Sequence, residues 1–310
     1  PTTDEVWRLQ GAQDKDALMF QQMADKGHYR KIGGSRQGIY ICSPSGILLN
    51  SINSLNPDVV LEVIQKGLDR WNELPKKERY LPKDFSKNIE HRWEDNYPKD
   101  GLILKGAKAD LLTDPPKFSE RGSRWNMDHV WFNKEEAKLW IPQKIKEKET
   151  QECPDIIKDR LFRFHLVDNV RGQALPFALQ EIKESNLQVE IIELDQSVLK
   201  LSITGNSLAI AKGPWLLGEN DWTPTHELDH RIETNILGGA VYNIKEESFT
   251  NFELVVLGKW IGKTQNNGRH FGPDSGHIGI IYNLAENIHE NRIAPAFVDL
   301  YNADWIAQPQ

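Results

Sequence analysis

His226-Glu227-Leu228-Asp229-His230 matches H-E-x-x-H, in which two histidines hold zinc and the glutamate serves a hydrolase as general base. The chemistry depends on the backbone. On a helix, residues four apart lie about 5–6 Å apart at Cβ and both imidazoles reach one ion. On a strand the same residues are about 13 Å apart, too far for two nitrogens to share a zinc at about 2.0–2.1 Å. A helical reading has Thr223 as cap, Pro224 as first residue, and Leu228, Ile232 and Ile236 every fourth position. The strand reading is the stronger one. His226, Leu228, His230, Ile232, Thr234 and Ile236 alternate with Glu227, Asp229, Arg231, Glu233 and Asn235, which sorts charge onto one face. The expectation is a strand, with no metal and no cofactor. Zinc on His226, His230 and a downstream Glu253 is the alternative, with Glu227 as base.

Two further stretches carry chemistry-bearing side chains. Arg163-Phe164-His165-Leu166-Val167-Asp168-Asn169-Val170-Arg171 closes an apolar helix, and Asn126-Met127-Asp128-His129 can face it. Asn126, Asp128, His129, His165, Asp168, Asn169 and Arg171 thus form a candidate polar pocket. In it Asp168 would orient His165, as a general base requires, in a metal-free hydrolase. The structural alternative, and the favoured one, is a satisfied hydrogen-bond network at a helix C-terminus, with Arg171 on free carbonyls. No catalytic residue is assigned. The second stretch is the polar run Lys263 to Asp274, where Asn266, Asn267 and Arg269 are candidate loop contacts. Gly33-Gly34-Ser35 and Gly101 to Gly106 lack the lysine and spacing of a phosphate loop.

These residues need elements to hold them. Asp14 to Lys26 has helical spacing, and Gly38–Cys42 and Ile47–Ile52 read as a hairpin around Ser43-Pro44-Ser45-Gly46. Asn56-Pro57 is an N-cap followed by Pro at N1, opening a helix with Val60, Leu61, Ile64, Leu68 and Trp71 as its apolar face. Val6 to Leu9 reads as a short strand. Residues 76–185 read as a Pro-interrupted connector with helices at Glu135–Trp140 and Asp155 to about Val167. From Leu187 the period becomes 2, with strands to about Leu284. Thr204-Gly205-Asn206-Ser207 reads as a turn between two of them. The fold class expected is α+β, with units 1–75, 76–185 and 186–310, the last an antiparallel sheet or sandwich.

The order helix, hairpin, helix over residues 14–74 resembles the second half of a thioredoxin-like domain. The C-x-x-C that disulfide exchange uses is missing, and Arg36-Gln37-Gly38 stands where such domains carry a cis-proline. The resemblance therefore implies a redox-inactive thioredoxin-like part. Phe249 to Gly258 with its following Thr-Gln-Asn-Asn loop, and Phe164 to Asn169, look like segments of uncharacterised multi-domain bacterial proteins, some of them exported. That likeness implies an exported or periplasmic protein, with the cytoplasm as the other option.

Totals set the remaining bounds. The chain has 310 residues and a net charge of −7, with no basic stripe, so nucleic acid is not an expected partner. No apolar run reaches the roughly 20 residues of a membrane-spanning helix. The first residue is Pro rather than Met, which reads as a mature form or a piece of a longer chain. The two cysteines, Cys42 and Cys153, have no metal-binding spacing, and Cys42 reads as a structural thiol in an apolar run. The role expected is non-redox binding or assembly with an unknown partner. Zinc-dependent hydrolysis is the alternative.

Overall fold

A computed structural model describes residues 6–11, 13, 15–28, 36–80, 97–112, 125–172, 174–215, 226–264, 266–269 and 272–301. Gly33-Gly34-Ser35, Thr113–Pro116 and the helical cap positions Thr223-Pro224 lie outside them. The protein is α+β, and the chain divides into two compact units, Pro1–Glu90 and His91–Gln310.

In the first unit, α1 (Val6–Gly11) and α2 (Lys15–Ala24) precede an antiparallel hairpin of β1 (Ile39–Cys42) and β2 (Leu48–Ile52). Then come α3 (Pro57–Glu73) and α4 (Lys76–Arg79). The Asn56 side chain accepts from the Asp58 N–H and Pro57 opens α3, as the cap signal requires. Val6–Leu9 is helical rather than a strand. The described residues give it no strand to pair with, and its Leu9 carbonyl accepts instead from Gln21 Nε2 of α2. The face of α3 toward the hairpin also differs from the expected one. Gly67 meets Ile41 so closely that a Cβ there would stand 2.8 Å from Ile41 Cγ2. Asn50 donates to the Val63 carbonyl and Arg70 to that of Leu49, while Leu61, Ile64 and Leu68 remain exposed.

The second unit is built on one eight-stranded antiparallel sheet. In chain order its strands are β3 (Leu102–Leu111), β4 (Trp125–Phe132), β5 (Thr150–Glu152), β6 (Ile182–Leu194), β7 (Val198–Trp215), β8 (His226–Asn243), β9 (Ser248–Ile261) and β10 (Ser275–Leu284). In space they run β4-β3-β10-β9-β8-β7-β6-β5. The β3–β4 hairpin lies in the stretch expected to be a connector, yet it pairs with β10 and extends the sheet. Its inward positions explain the misreading. After Leu102 and Leu104 come Gly106, Lys108 and Asp110, so the apolar alternation breaks where the inner face becomes charged.

β7 corrects a second expectation. Thr204–Ser207 is mid-strand, not a turn. Gly205 is needed there because a Cβ would lie 2.4 Å from the Asn186 carbonyl of β6. Buried Ser207 exchanges a 2.6 Å hydrogen bond with Thr234 of β8. Polar residues that resemble a turn are thus satisfied across the sheet.

One sheet face carries the core. Leu187, Val189, Leu201, Ile203, Ile232, Ile236, Phe252, Leu254, Val256, Ile278 and Ile280 point into it. A helical segment covers them. It starts as α6 (Asp155–Asp159) and widens to a π-helix over Arg160–His165, seen in the Leu166 N–H bonding the Leu161 carbonyl five residues back. The helix expected to reach Val167 therefore ends at His165. Ile157, Leu161, Phe162 and Leu166 face the sheet, and Trp140, after α5 (Lys134–Lys138), stands edge-on to Phe132 and Phe252. On the opposite face, residues around Ala285, Ala294 and Val298 cover Ile103 and Trp131.

Candidate functional site: a buried charge network

The inner face at the β4–β3–β10 end holds two linked clusters. The first centres on Asp128 of β4. Its Oδ2 accepts from His165 Nδ1 at 2.9 Å and Tyr282 Oη at 2.7 Å, and Lys108 Nζ stands 3.0 Å away. Its Oδ1 accepts from the His129 backbone N–H at 2.8 Å. Lys108 also donates to the His165 carbonyl, and His165 Nε2 pairs with the Tyr301 hydroxyl. With a carboxylate on Nδ1, the proton is assigned to Nδ1, and Nε2 accepts from Tyr301. Lys108, His165 and Tyr282 have no solvent exposure. Gly106 makes room, since a Cβ would lie 2.4 Å from the Tyr282 ring.

The second cluster centres on Arg269. Its guanidinium bonds Asp168 at 2.6 Å and Asp110 at 2.7 Å, and stacks 4.1 Å from the Trp260 ring centroid. Arg171 Nε reaches Asp110 at 2.7 Å. Asn267 donates to Asp168 and to the Gly262 carbonyl. The two loops meet closely at Gly268, which has φ +65 and whose Cβ would stand 2.5 Å from the Arg171 carbonyl. β3 joins the clusters, giving Lys108 to one and Asp110 to the other. Beside them Arg160 makes a bidentate pair with Glu136 at 2.5 and 2.6 Å and lies 4.3 Å over the Tyr301 ring.

Each of the four cations Lys108, Arg160, Arg171 and Arg269 has a carboxylate among Asp110, Asp128, Glu136 and Asp168, so the network is neutral. Burial pushes the Asp128 carboxyl up, but Lys108 and His165 outweigh it and hold the group well below the usual range. Burial lowers His165, which Asp128 only partly offsets. Tyr282 is raised by burial and by Asp128. Burial raises Asp168 against the pull of Arg269, while Arg269 itself is raised by Asp168 and Asp110 against its own burial.

The structure brings most of the expected polar residues together, with changed partners. Asp128, not Asp168, orients His165. Asp168 belongs to Arg269, so the pocket and the Asn267–Arg269 loop become one network. Arg171 pairs with Asp110 rather than with helix carbonyls. Asn126 donates to the Asn169 carbonyl at 2.8 Å. Asn266 is exposed and its backbone N–H donates locally to the Thr264 hydroxyl. His129 is buried, but it lies on the opposite sheet face, and among the described residues its Nε2 has no partner. Lys108, Asp110, Glu136, Arg160, Tyr282 and Tyr301 were not expected. Lys108 and Asp110 had one signal, charges at alternate positions continuing the Leu102–Leu104 phase.

The H-E-x-x-H segment lies in β8 as a strand. His230 stacks on Phe177 at 6.1 Å. Glu253 pairs with Gly239, nine residues along from His230 and about 30 Å away at strand rise. His226, His230 and Glu253 therefore do not converge. Among the described residues no three His, Cys, Asp or Glu side chains form a metal-ligand group.

Chemically, the Asp128–His165–Tyr301 chain has the hydrogen-bond order of a proton relay, yet its acceptors are engaged and His165 is sealed. A cavity of about 440 Å³ opens in the first unit, lined by Lys26, His28, Asn50, Ser51 and Arg70 among others. Both cysteines are free thiols, and burial pushes Cys153 up to about 12. No described helix is long and apolar enough to cross a membrane. No family model, curated protein or solved structure matches the chain.

Proposed function

We propose that the protein is a non-redox binding or assembly protein whose C-terminal sheet docks a protein surface through its outer face. One observation carries this reading. Met127, Ala107, Ile281, Val255 and Leu237 stand side by side across β4, β3, β10, β9 and β8. Met127 is 40%, Ile281 46%, Val255 48% and Leu237 67% exposed, and Leu257 adds a half-exposed side chain in the next row. Contiguous apolar surface of this kind marks an interaction site, whereas single exposed residues do not. The buried network serves as a scaffold that clamps the sheet to the helical segment and the 262–269 loop. The hairpin and α3 of the first unit support a redox-inactive thioredoxin-like part, and the likeness to exported bacterial proteins favours a location outside the cytoplasm.

The test is a photo-crosslinking residue at Val255 in the full chain, in its native cell. A discrete crosslinked product is expected there, and none from the same residue at Lys200, at the far end of β7. Equal yields at both positions, or no product at Val255, would reject the docking reading.

A further inference from the structure

We infer that the surface docked on this face is a second copy of the same chain, packed sheet on sheet about a two-fold axis that runs along β10. The inference rests on the docking reading and adds the occupant. Sheets that pack face to face keep their strands within about 30° and lie about 10 Å apart. A two-fold axis makes the contact self-complementary, so each residue must suit the one placed opposite it.

The strand register decides where such an axis can lie. The outer face has four rows across β8, β9, β10 and β3. The apolar row is Leu237, Val255, Ile281 and Ala107. On one side of it lie Gly239, Glu253, Asn283 and Lys105. On the other lie Asn235, Leu257, Gly279 and Ala109, and then Glu233, Lys259, His277 and Leu111. Among the described residues neither Lys105 nor Glu253 has an ion-pair partner.

An axis along β10 lays β3 over β9 of the second copy and β4 over β8. Lys105 then faces Glu253 of the second copy, twice by symmetry. Small Ala107 faces Val255, Ala109 faces Leu257, and Met127 faces Leu237. Ile281 meets its own image, and Gly279 meets Gly279 where the sheets are closest. Among the described residues of these rows no charge faces its like. An axis along β9 would set Glu253 on Glu253 and Lys259 on Lys259. An axis perpendicular to the strands would press Lys105 onto Ala109 and Glu253 onto Leu257, burying both charges unpaired. Of these three placements, the β10 axis alone pairs Lys105 with Glu253 and fits large side chains to small ones, while Lys259 faces Leu111 in the outermost row, where its long stem lets the ammonium reach solvent.

The area is sufficient for a reversible complex. Four strands at about 4.8 Å and six residue steps at about 3.3 Å, with Met127 of β4 beside them, make a footprint of about 400 Å² per copy. Two such footprints, about 800 Å² before side-chain relief is counted, lie in the range of weak, transient contacts. Residues 285–301 rise beyond the Lys105 row and bound the contact there.

The experiment is sedimentation of the purified full chain from low micromolar to hundred-micromolar concentration. A monomer–dimer equilibrium is expected. Ile281→Lys puts two cations together on the axis and should weaken the dimer more than about a hundredfold. Lys105→Glu and Glu253→Lys should each weaken it about tenfold, and the double swap should bring it back to near the original strength. Each variant is first checked for an unchanged far-UV spectrum and melting temperature. Should Ile281→Lys fail to fold, Val255→Lys reads the same contact. A monomer at every concentration, a dimer indifferent to these lysines, or single swaps without rescue would overturn the inference. A crosslink from Val255 to a different protein overturns it while sparing the docking reading. A monomer in solution with no crosslink removes both.

Discussion

At the β4–β3–β10 end of the sheet, the inner face carries Lys108, Asp110, Asp128 and Tyr282, while the outer face behind them carries Ala107, Ala109, Met127 and Ile281. The usual polarity of a half-buried sheet is reversed there. The inner charges are tolerated because each has its counter-charge and hydrogen bonds, and their sum is zero. Among the described residues nothing covers the outer apolar side chains of Met127 and Ile281, which stay 40% and 46% exposed. A buried charge can thus be fully satisfied by its neighbours while an exposed apolar row is not. The first points to architecture, the second to association.

The comparison breaks most readily at Asp128. Asp128→Ala leaves Lys108 and His165 buried without their anion and should cost about 3–5 kcal/mol in a denaturant titration of the full chain. Replacing Asp128 by Leu together with Lys108 by Met should cost less than that single change, since no charge is stranded. A loss below about 1 kcal/mol for Asp128→Ala would mean that the cluster is not a scaffold. Arg269→Met strands Asp168 and leaves Asp110 to Arg171, so a loss of about 2–4 kcal/mol is expected in the same titration. Thr234→Val removes the partner of buried Ser207 and should cost about 1–2 kcal/mol.

Acidity probes the inner face without mutation. Burial holds the folded His165 imidazole below its ordinary value, against Asp128 and with help from Lys108 and Arg160. The unfolded chain takes up the proton first, so this contribution is complete above about pH 6.5 and is lost as pH falls below it. His129 and His230 shift in the same direction, also by burial. The melting temperature should fall from pH 7 to pH 5, and His165→Gln should flatten that slope. An unchanged slope would place the proton uptake elsewhere. The smallest effect belongs to the outer face. At concentrations below association, Val255→Lys should change stability by no more than about 0.5 kcal/mol. A larger loss would show that the row is held by its own unit.

Legibility followed the same division. The strand at His226–Ile236 was readable because burial is ordinary there: Ile232, Thr234 and Ile236 go in, while Glu227, Arg231 and Glu233 stay out. The Asn56 cap and the β1–β2 hairpin were readable because a cap and a turn use only neighbouring residues. β3 was not readable, since Lys108 and Asp110 occupy core positions that only paired charges make habitable. The Thr204–Ser207 stretch misled for a related reason. Its polar residues are satisfied by strands distant in sequence.

Of the candidate site, the residue types were visible and the pairings were not. Asp168 is three residues from His165, and sequence proximity suggested that they act together. Strand order instead brings Asp128, thirty-seven residues away, to His165, and Arg269, a hundred and one residues away, to Asp168. Local spacing established the strand at the H-E-x-x-H segment, the capped helix α3 and the apolar core of β6 to β10. Those depend on periodicity and on short-range hydrogen bonds, which the order of residues encodes directly. The neutral charge network and the five-strand apolar row depend on which strands become neighbours. Pairing β3 with β10 closes a gap of more than 160 residues, and no local pattern specifies which partner satisfies a given charge.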